Sequence, residues 1–272
     1  MEKVERLLKD LQLSEAEKKS VRIGSGSELK GKTDVALLKA FGKLLLERNI
    51  RPEVIEQALG WIWCPVRGIE CKDLGDNFFL LTFGQAAGKR KAMEEGPWTV
   101  SKELMVVADF DGSKTLDEID FSFIPIWVRV VNLPMGLMNK STARVIGDEV
   151  GEYMEMEADG EADGIVAARF LRLKVRLDIR KPLMRGVTIS LEEGVEDRWC
   201  PLSYEFLPEF CYCCGIIGHT DKVCKKKKGK DDVMPFNREL RFIPPKKRGG
   251  NDGGRGGDGR NFFLSGTRRD GR

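Results

Sequence analysis

Four residues toward one end of this 272-residue chain have the types and spacing of a metal site. Cys211 and Cys214 are separated by two residues, His219 follows after four more, and Cys224 after another four. Two thiolates three positions apart grip one ion from a single turn. A later imidazole and a third thiolate complete a tetrahedron. Soft sulfur combined with imidazole at four-coordination selects zinc, and one ion is expected. Gly215 and Gly218 lie between ligands, where the backbone must turn tightly and glycine permits it. His219 is the only histidine in the chain, and it falls at the required position. A segment this short does not fold alone, so metal binding and folding are expected as one event. Pairing Cys211 with Cys213 instead leaves five residues to the histidine, a poorer fit, so Cys213 reads as a free bystander. Cys64, Cys71 and Cys200 lack ligand spacing and read as core or near-surface thiols. With the sole histidine committed, no cysteine has a base to activate it. No P-loop and no paired-acid spacing is found either, so neither an enzyme nor a small-molecule substrate is expected.

The residues around the ligands suggest a partner. Small zinc knuckles touch few nucleotides, using an apolar platform for unstacked bases and surrounding cations for phosphates. Tyr212 follows the first ligand and Phe210 precedes it. Lys222 and the run Lys225, Lys226, Lys227 and Lys228 place positive charge beside the site. The partner read from this is RNA or single-stranded DNA, bound with little sequence preference. Two blander readings stand beside it: Tyr212 packing back on the domain, and the lysine run as a solvated linker. The run also fits a nuclear-import signal, so an intracellular location, nuclear or cytoplasmic, is expected.

Charge distribution supports a polyanionic partner. Residues 225–272 hold 15 Lys and Arg against 6 Asp and Glu, whereas the other 224 residues hold 31 against 37. A basic tail on a mildly acidic body points outward to an anion. The Gly-rich stretch with Arg255 and Arg260 resembles an RGG segment, diluted by Asp252 and Asp258. No run of 18 apolar residues occurs, so no membrane span is expected. The first residues are charged and lack a signal-peptide apolar core. A reducing compartment follows as an expectation, with cysteines serving as ligands or core rather than disulfides.

The elements that must position the site read as follows. Residues 1–34 form an N-terminal helical extension, with a Ser14/Glu17 capping box starting a short helix and Gly24-Ser-Gly-Ser breaking it. Residues 35–109 alternate strand and helix signals: a strand over Leu37–Leu46, then a helix over Pro52–Trp61 with Asn49 as its cap. That helix should bury Val54, Ile55, Ala58 and Leu59. Strands at Val66–Leu74 and Phe78–Phe83 follow, joined by a tight turn at Gly75-Asp76-Asn77, then a helix over Ala86–Glu94 and a strand over Leu104–Ala108. This β-α-β-β-α-β order gives an antiparallel sheet backed by two helices. Residues 110–206 form a β-rich antiparallel extension. It has a strand at Ile126–Val131, a helix at Asn139–Val150, and a long alternating strand at Arg169–Ile179 ended by Lys181-Pro182. Further strands follow at Val187–Leu191 and Trp199–Phe206. Gly96-Pro97-Trp98 reads as a helix stop with a buried indole, and Trp127 as core; the Lys181-Pro182-Leu183 turn shows no chemistry. Residues 207–224 are the knuckle, and residues 225–272 a disordered basic Gly-rich tail.

These segments, taken in order, resemble a known family. Phe41-Gly42-Lys43, Asn77–Phe83, Gly96-Pro97-Trp98, Ile126–Val130 with Leu133-Pro134, Asp178–Leu183, Tyr204–Pro208 and the knuckle occur as in plant proteins carrying the domain of unknown function 4283 followed by a CCHC zinc knuckle. That family is similar to the first-reading-frame proteins of LINE-type retrotransposons. The resemblance covers about residues 10–224. It implies RNA binding, an RRM-like fold for residues 35–109 within an α+β architecture, and no enzymatic activity. An RRM stacks bases on aromatics of its third strand. Phe78 occupies the first of those places, Leu80 the second, and Asn77 stands where glycine is usual. Phe78 is therefore a nucleic-acid candidate, with packing beneath the second block as its alternative. A competing function is a protein–protein adaptor, in which the acidic body recruits a partner and the knuckle is a structural clip.

Overall fold

The computed structural model describes residues 38–45, 49–157, 168–190, 196–226 and 233–244, with short pieces at 14, 17–20, 161–162 and 165–166. Leu38–Arg272 forms one compact unit and Met1–Leu37 another. In the second of these the Ser14 N–H and hydroxyl both donate to the Glu17 carboxylate at 2.8 Å, the back-bonding half of a capping box, while the Glu17 N–H donates to the Ser14 carbonyl. Described residues 17–20 form a turn and bend, and the rest of the expected helix lies outside the described residues.

The larger unit is α+β, with two sheets built on the same plan. The first half runs β1 (Lys39–Leu44), α1 (Pro52–Trp63), β2 (Ile69–Gly75), β3 (Phe78–Phe83), α2 (Ala86–Glu94), β4 (Trp98–Val100) and β5 (Glu103–Asp109). Its strands lie in the order β2-β3-β1-β5-β4, every pairing antiparallel. This is the RRM-like arrangement expected for residues 35–109, with β4 as an added edge hairpin. The β2–β3 turn is made by Asp76 and Asn77, both at positive φ (48° and 58°). Asn and Asp tolerate that region through short polar side chains. Helix α1 starts at Pro52 with Arg51 as its cap, not Asn49, and no side chain caps it. Pro52 presets the first-turn φ without needing a cap. Its buried face is Ile55, Leu59, Gly60 and Trp63; Val54 points outward, contrary to expectation. These pack with Phe79, Leu81 and Phe83 from the alternate positions of β3. The Trp98 indole is half-buried; its N–H donates to Ala92 O at 2.8 Å and so closes the end of α2.

The second half runs β6 (Phe123–Val131), α3 (Lys140–Val150), β7 (Glu152–Met156), a short pair β8 (Glu161–Ala162) and β9 (Ile165–Val166), β10 (Phe170–Asp178), β11 (Gly186–Ile189) and β12 (Arg198–Glu205). Its order is β11-β12-β6-β10-β7. The four strands β7-β10-β6-β12 repeat the order of β2-β3-β1-β5, with α3 in the place of α1 and no counterpart of α2 among the described residues. Asn139 caps α3, its side chain accepting from Thr142 N–H. Leu171, Leu173, Val175 and Leu177 of β10 are buried together with Ile126, Val128 and Val130 of β6, as the alternation predicted.

The two halves share a core. Phe41, Leu104 and Val106, on the first sheet's face away from its helices, join the buried cluster of the second half. The outer face of the second sheet is closed by a lattice of stacked and paired charges. Glu205, 2% exposed, accepts from Arg129 Nε at 2.6 Å and from Arg172 Nε and Nη2 at 2.9 and 2.8 Å. Arg172 lies 3.8 Å from the Trp127 ring centroid, and Arg129 lies 3.6 Å from Phe242 and 4.3 Å from Phe170. Lys174 pairs with Glu155 at 2.8 Å. Trp127 is thus a half-buried member of this outer lattice rather than core. Burial works to raise the Glu205 carboxyl, but the hydrogen bonds from Arg172 and Arg129 outweigh it and hold it below the ordinary carboxylate value.

A further correction concerns the stretch after the knuckle. Residues 233–244 belong to the folded body. Arg238–Leu240 forms a 3₁₀ turn with Leu240 buried, and β13 (Arg241–Phe242) pairs parallel to β12. The stretch cannot fold alone, but Phe236, Leu240 and Phe242 bury against a body that is already folded. Among the described residues no helix is long and apolar enough to cross a membrane.

Candidate metal centre

The chain leaves β12 through Phe206, at a φ of 53°, and its N–H donates to Phe242 O at 2.9 Å. Phe210 and Ile217 then bridge antiparallel to each other, and both side chains are buried in the large shared core. Between them the backbone folds back on itself. Cys211 N–H donates to Ile216 O at 2.9 Å and Gly215 N–H to Cys211 O at 2.8 Å. Gly215 and Gly218 take φ of 75° and 93°, the left-handed region where a side chain is disfavoured. A short 3₁₀ turn, Asp221–Val223, brings Cys224 back to the first two cysteines.

The result is one cluster. The ligand atoms of Cys211, Cys214, His219 and Cys224 all lie within 4.8 Å of one another, and Cys214 Sγ is 3.3 Å from His219 Nε2. A tetrahedral zinc with bonds of about 2.3 Å to sulfur and about 2.0 Å to nitrogen separates its ligand atoms by about 3.5–3.8 Å, so the donor set fits that ion. The three thiols are buried, the imidazole is half-buried, and no oxygen donor competes in the cluster. Three sulfurs and one nitrogen form a soft, closed set, suited to a structural zinc rather than a catalytic one. Cys213 is excluded from the cluster; its thiol reaches Lys226 O at 2.9 Å. Two further cysteines, Cys71 and Cys200, are poor nucleophiles by environment. Burial, followed by the nearby Glu56, pushes the Cys71 thiol up to about 12, and burial raises Cys200 also.

The proposed contact residues fall in different settings. Lys222, Lys225 and Lys226 are exposed beside the last ligand, whereas Lys227 and Lys228 lie outside the described residues. Tyr212 is half-buried, edge-on to Phe210 with centroids 5.1 Å apart. Its backbone carbonyl accepts from Phe236 N–H at 3.2 Å. The aromatic candidate on the first sheet is occupied. Phe78 packs edge-on against Phe121 at 5.5 Å with Lys43 over its ring at 4.5 Å, half-buried against the shared core. This is the packing beneath the second block that the sequence offers as the alternative for Phe78.

Two features next to the knuckle carried no signal in the sequence. Leu183 N–H donates to Gly215 O at 2.9 Å, which seats the Lys181–Arg185 loop against the knuckle. Phe236 returns from beyond the lysine run to lie on Gly215, so closely that a Cβ there would sit 2.4 Å from its ring. Both contacts join residues distant in the chain, which no local spacing reveals.

Comparison with known proteins agrees with the centre. The zinc-knuckle family model matches residues 177–226, from the end of β10 through the last ligand. No curated protein matches the chain. Among solved structures it is similar to the RNA-binding domain of Hrp1 in complex with RNA, at 10% identity and a TM-score of 0.25, over 52% of this chain and 81% of that one. It is also similar to the first two RRM domains of yeast Pub1, at 11% identity and a TM-score of 0.22, over 50% and 81%. A third is the pair of Sex-lethal RNA recognition domains from Drosophila melanogaster, at 11% identity and a TM-score of 0.23, over 51% and 85%.

Proposed function

We propose that this chain holds one zinc ion in its knuckle and uses the knuckle to bind single-stranded nucleic acid, RNA or DNA, with low sequence specificity and without catalysis. The observation that carries the reading is a closed Cys₃His donor set with the exposed Lys222, Lys225 and Lys226 beside its last ligand. Cations held on a rigid metal-bound loop attract phosphates without reading bases, which gives strong salt dependence and weak sequence preference. The same proposal places the chain with the domain 4283 proteins and the LINE-type first-reading-frame proteins, acting in a reducing compartment, nuclear or cytoplasmic. The test is native mass spectrometry of the full chain with and without chelator, followed by binding of a labelled polyuridine strand across a salt series. One zinc per chain and steeply salt-dependent binding that chelation abolishes are expected. A metal-free protein, or a flat salt response, overturns the proposal.

A second reading has its own observation. Phe210 and Ile217 are buried in the shared core, so the knuckle also acts as a clip on the body. In that case the chain is an adaptor for a protein partner. Oligonucleotide binding unchanged by Tyr212→Ala with Lys225→Ala and Lys226→Ala favours the adaptor.

A further inference from the structure

This inference rests on the nucleic-acid reading and extends its site. The aromatic face of the first sheet is covered, and the cations on the outer face of the second are paired. Arg129 and Arg172 share Glu205, Lys174 holds Glu155, Arg176 holds Glu152, and Arg180 holds Asp178. A strand docking there must first break those pairs. Among the described residues the body nevertheless offers exposed cations beside the knuckle. Lys181 and Arg185 are both exposed and flank Leu183, the residue bonded to Gly215 between the second and third zinc ligands.

The loop that carries them is held firmly. Leu183 is buried, Met184 O accepts from the fully buried Tyr204 hydroxyl at 2.9 Å, and Leu202 N–H donates to Arg185 O at 2.9 Å. Arg185 directs one nitrogen to Pro235 O at 3.2 Å, with its guanidinium 5.9 Å from the Phe236 ring that lies on Gly215. One of its five N–H donors is thereby used, which leaves a planar fork suited to phosphate. Lys181 stands two residues from Leu183, within about 7 Å of chain; its N–H donates to Asp178 O at 3.3 Å, and it lines a groove with Asp148, Glu149 and Glu152. The loop backbone is thus fixed at the knuckle's side, so binding orders mainly the two exposed side chains.

We infer that Lys181 and Arg185 form a phosphate-contact site that continues the knuckle's interface onto the body, so that a single strand leaving the knuckle runs along this loop. Bound zinc would support the site indirectly, by holding the turn that presents the Gly215 carbonyl to Leu183.

The test measures polyuridine affinity of the zinc-loaded full chain against salt, for the wild type, Lys181→Ala, Arg185→Ala, their combination, and Lys222→Ala with Lys225→Ala. Each phosphate contact on a single strand contributes about 0.7 to the slope of log affinity against log salt, or about fourfold in affinity at about 0.15 M. Lys181→Ala is therefore expected to weaken binding about fourfold and the double loop variant about fifteenfold, with the slope falling in step. Zinc content and thermal melting are followed for each variant, since Arg185 also anchors Pro235. Binding weakened by the Lys222/Lys225 pair but unchanged in slope by Lys181→Ala and Arg185→Ala overturns this site and leaves the nucleic-acid reading standing. An Arg185→Ala protein that melts lower yet keeps the wild-type slope counts against it equally. No binding by the wild type removes the reading and the site together.

Discussion

Removing the zinc should undo more than the knuckle. Fixing the backbone over Cys211–Cys224 costs about 1–2 kcal/mol per residue, on the order of 15–25 kcal/mol. Without the ion, the segment gains little to set against this. Phe210 and Ile217 are the large side chains it and its entry strand bury in the shared core, and each contributes about 1.5–3 kcal/mol. The few backbone bonds of the turn add about 1 kcal/mol each. The deficit is several kcal/mol or more, whereas a structural zinc supplies about 10–16 kcal/mol in isolated knuckle-sized peptides. Chelation should therefore unfold the turn even though it is docked. Its partners should open with it: Leu183 N–H loses Gly215 O, and Phe236 N–H loses Tyr212 O. The assay is amide hydrogen exchange of the full chain before and after chelator. The amides of Cys211, Gly215, Leu183 and Phe236 are expected to lose protection by about a thousandfold or more, while those of β1, β3 and β5 keep theirs. Cys213→Ser is the control, since its thiol lies outside the cluster; it should retain zinc and protection. Full protection at Leu183 and Phe236 in the metal-free protein would refute the coupling of metal, loop and return segment.

Two further predictions concern the body. Glu205→Gln leaves Arg129 without its ion-pair partner in a part-buried lattice, and should cost about 3 kcal/mol in chemical denaturation. The Glu205 carboxyl titrates below its ordinary value of 4.5 in the folded state, so its contribution is complete above that pH and is lost as pH falls through the lowered value. The wild type should thus lose stability on acidification below about pH 4.5 more steeply than the Gln variant; parallel acid curves would contradict the assignment. Phe78→Ala should lower the melting temperature, with a loss of about 1.5–3 kcal/mol, because its ring packs on Phe121. Its effect on polyuridine affinity should be nil; weakened binding with an unchanged melt would restore Phe78 as a contact.

Local chemistry in the sequence was enough to pick out the four residues that cluster as a metal site, to leave Cys213 outside it, and to find most of the strands. Ligand spacing within 14 residues leaves little freedom in how the donors meet, and alternation on β3 and β10 names its own buried side. Where local rules were weak, the reading failed. The β4–β5 hairpin turns at Ser101-Lys102, both at positive φ, a pair without the Asn or Gly that marks such turns. Helical spacing puts Val54 on the buried face and residue type puts Trp127 in the core, yet which side of α1 or β6 is inside depends on what packs there. Tertiary structure alone decided that the second half repeats the first half's strand order and covers the face carrying Phe78. It also seated the Lys181–Arg185 loop on Gly215 and drew residues 233–244 back onto β12. Each of these joins segments far apart in the chain through burial of apolar surface and through hydrogen bonds. Neither force leaves a mark at fixed spacing in a single sequence.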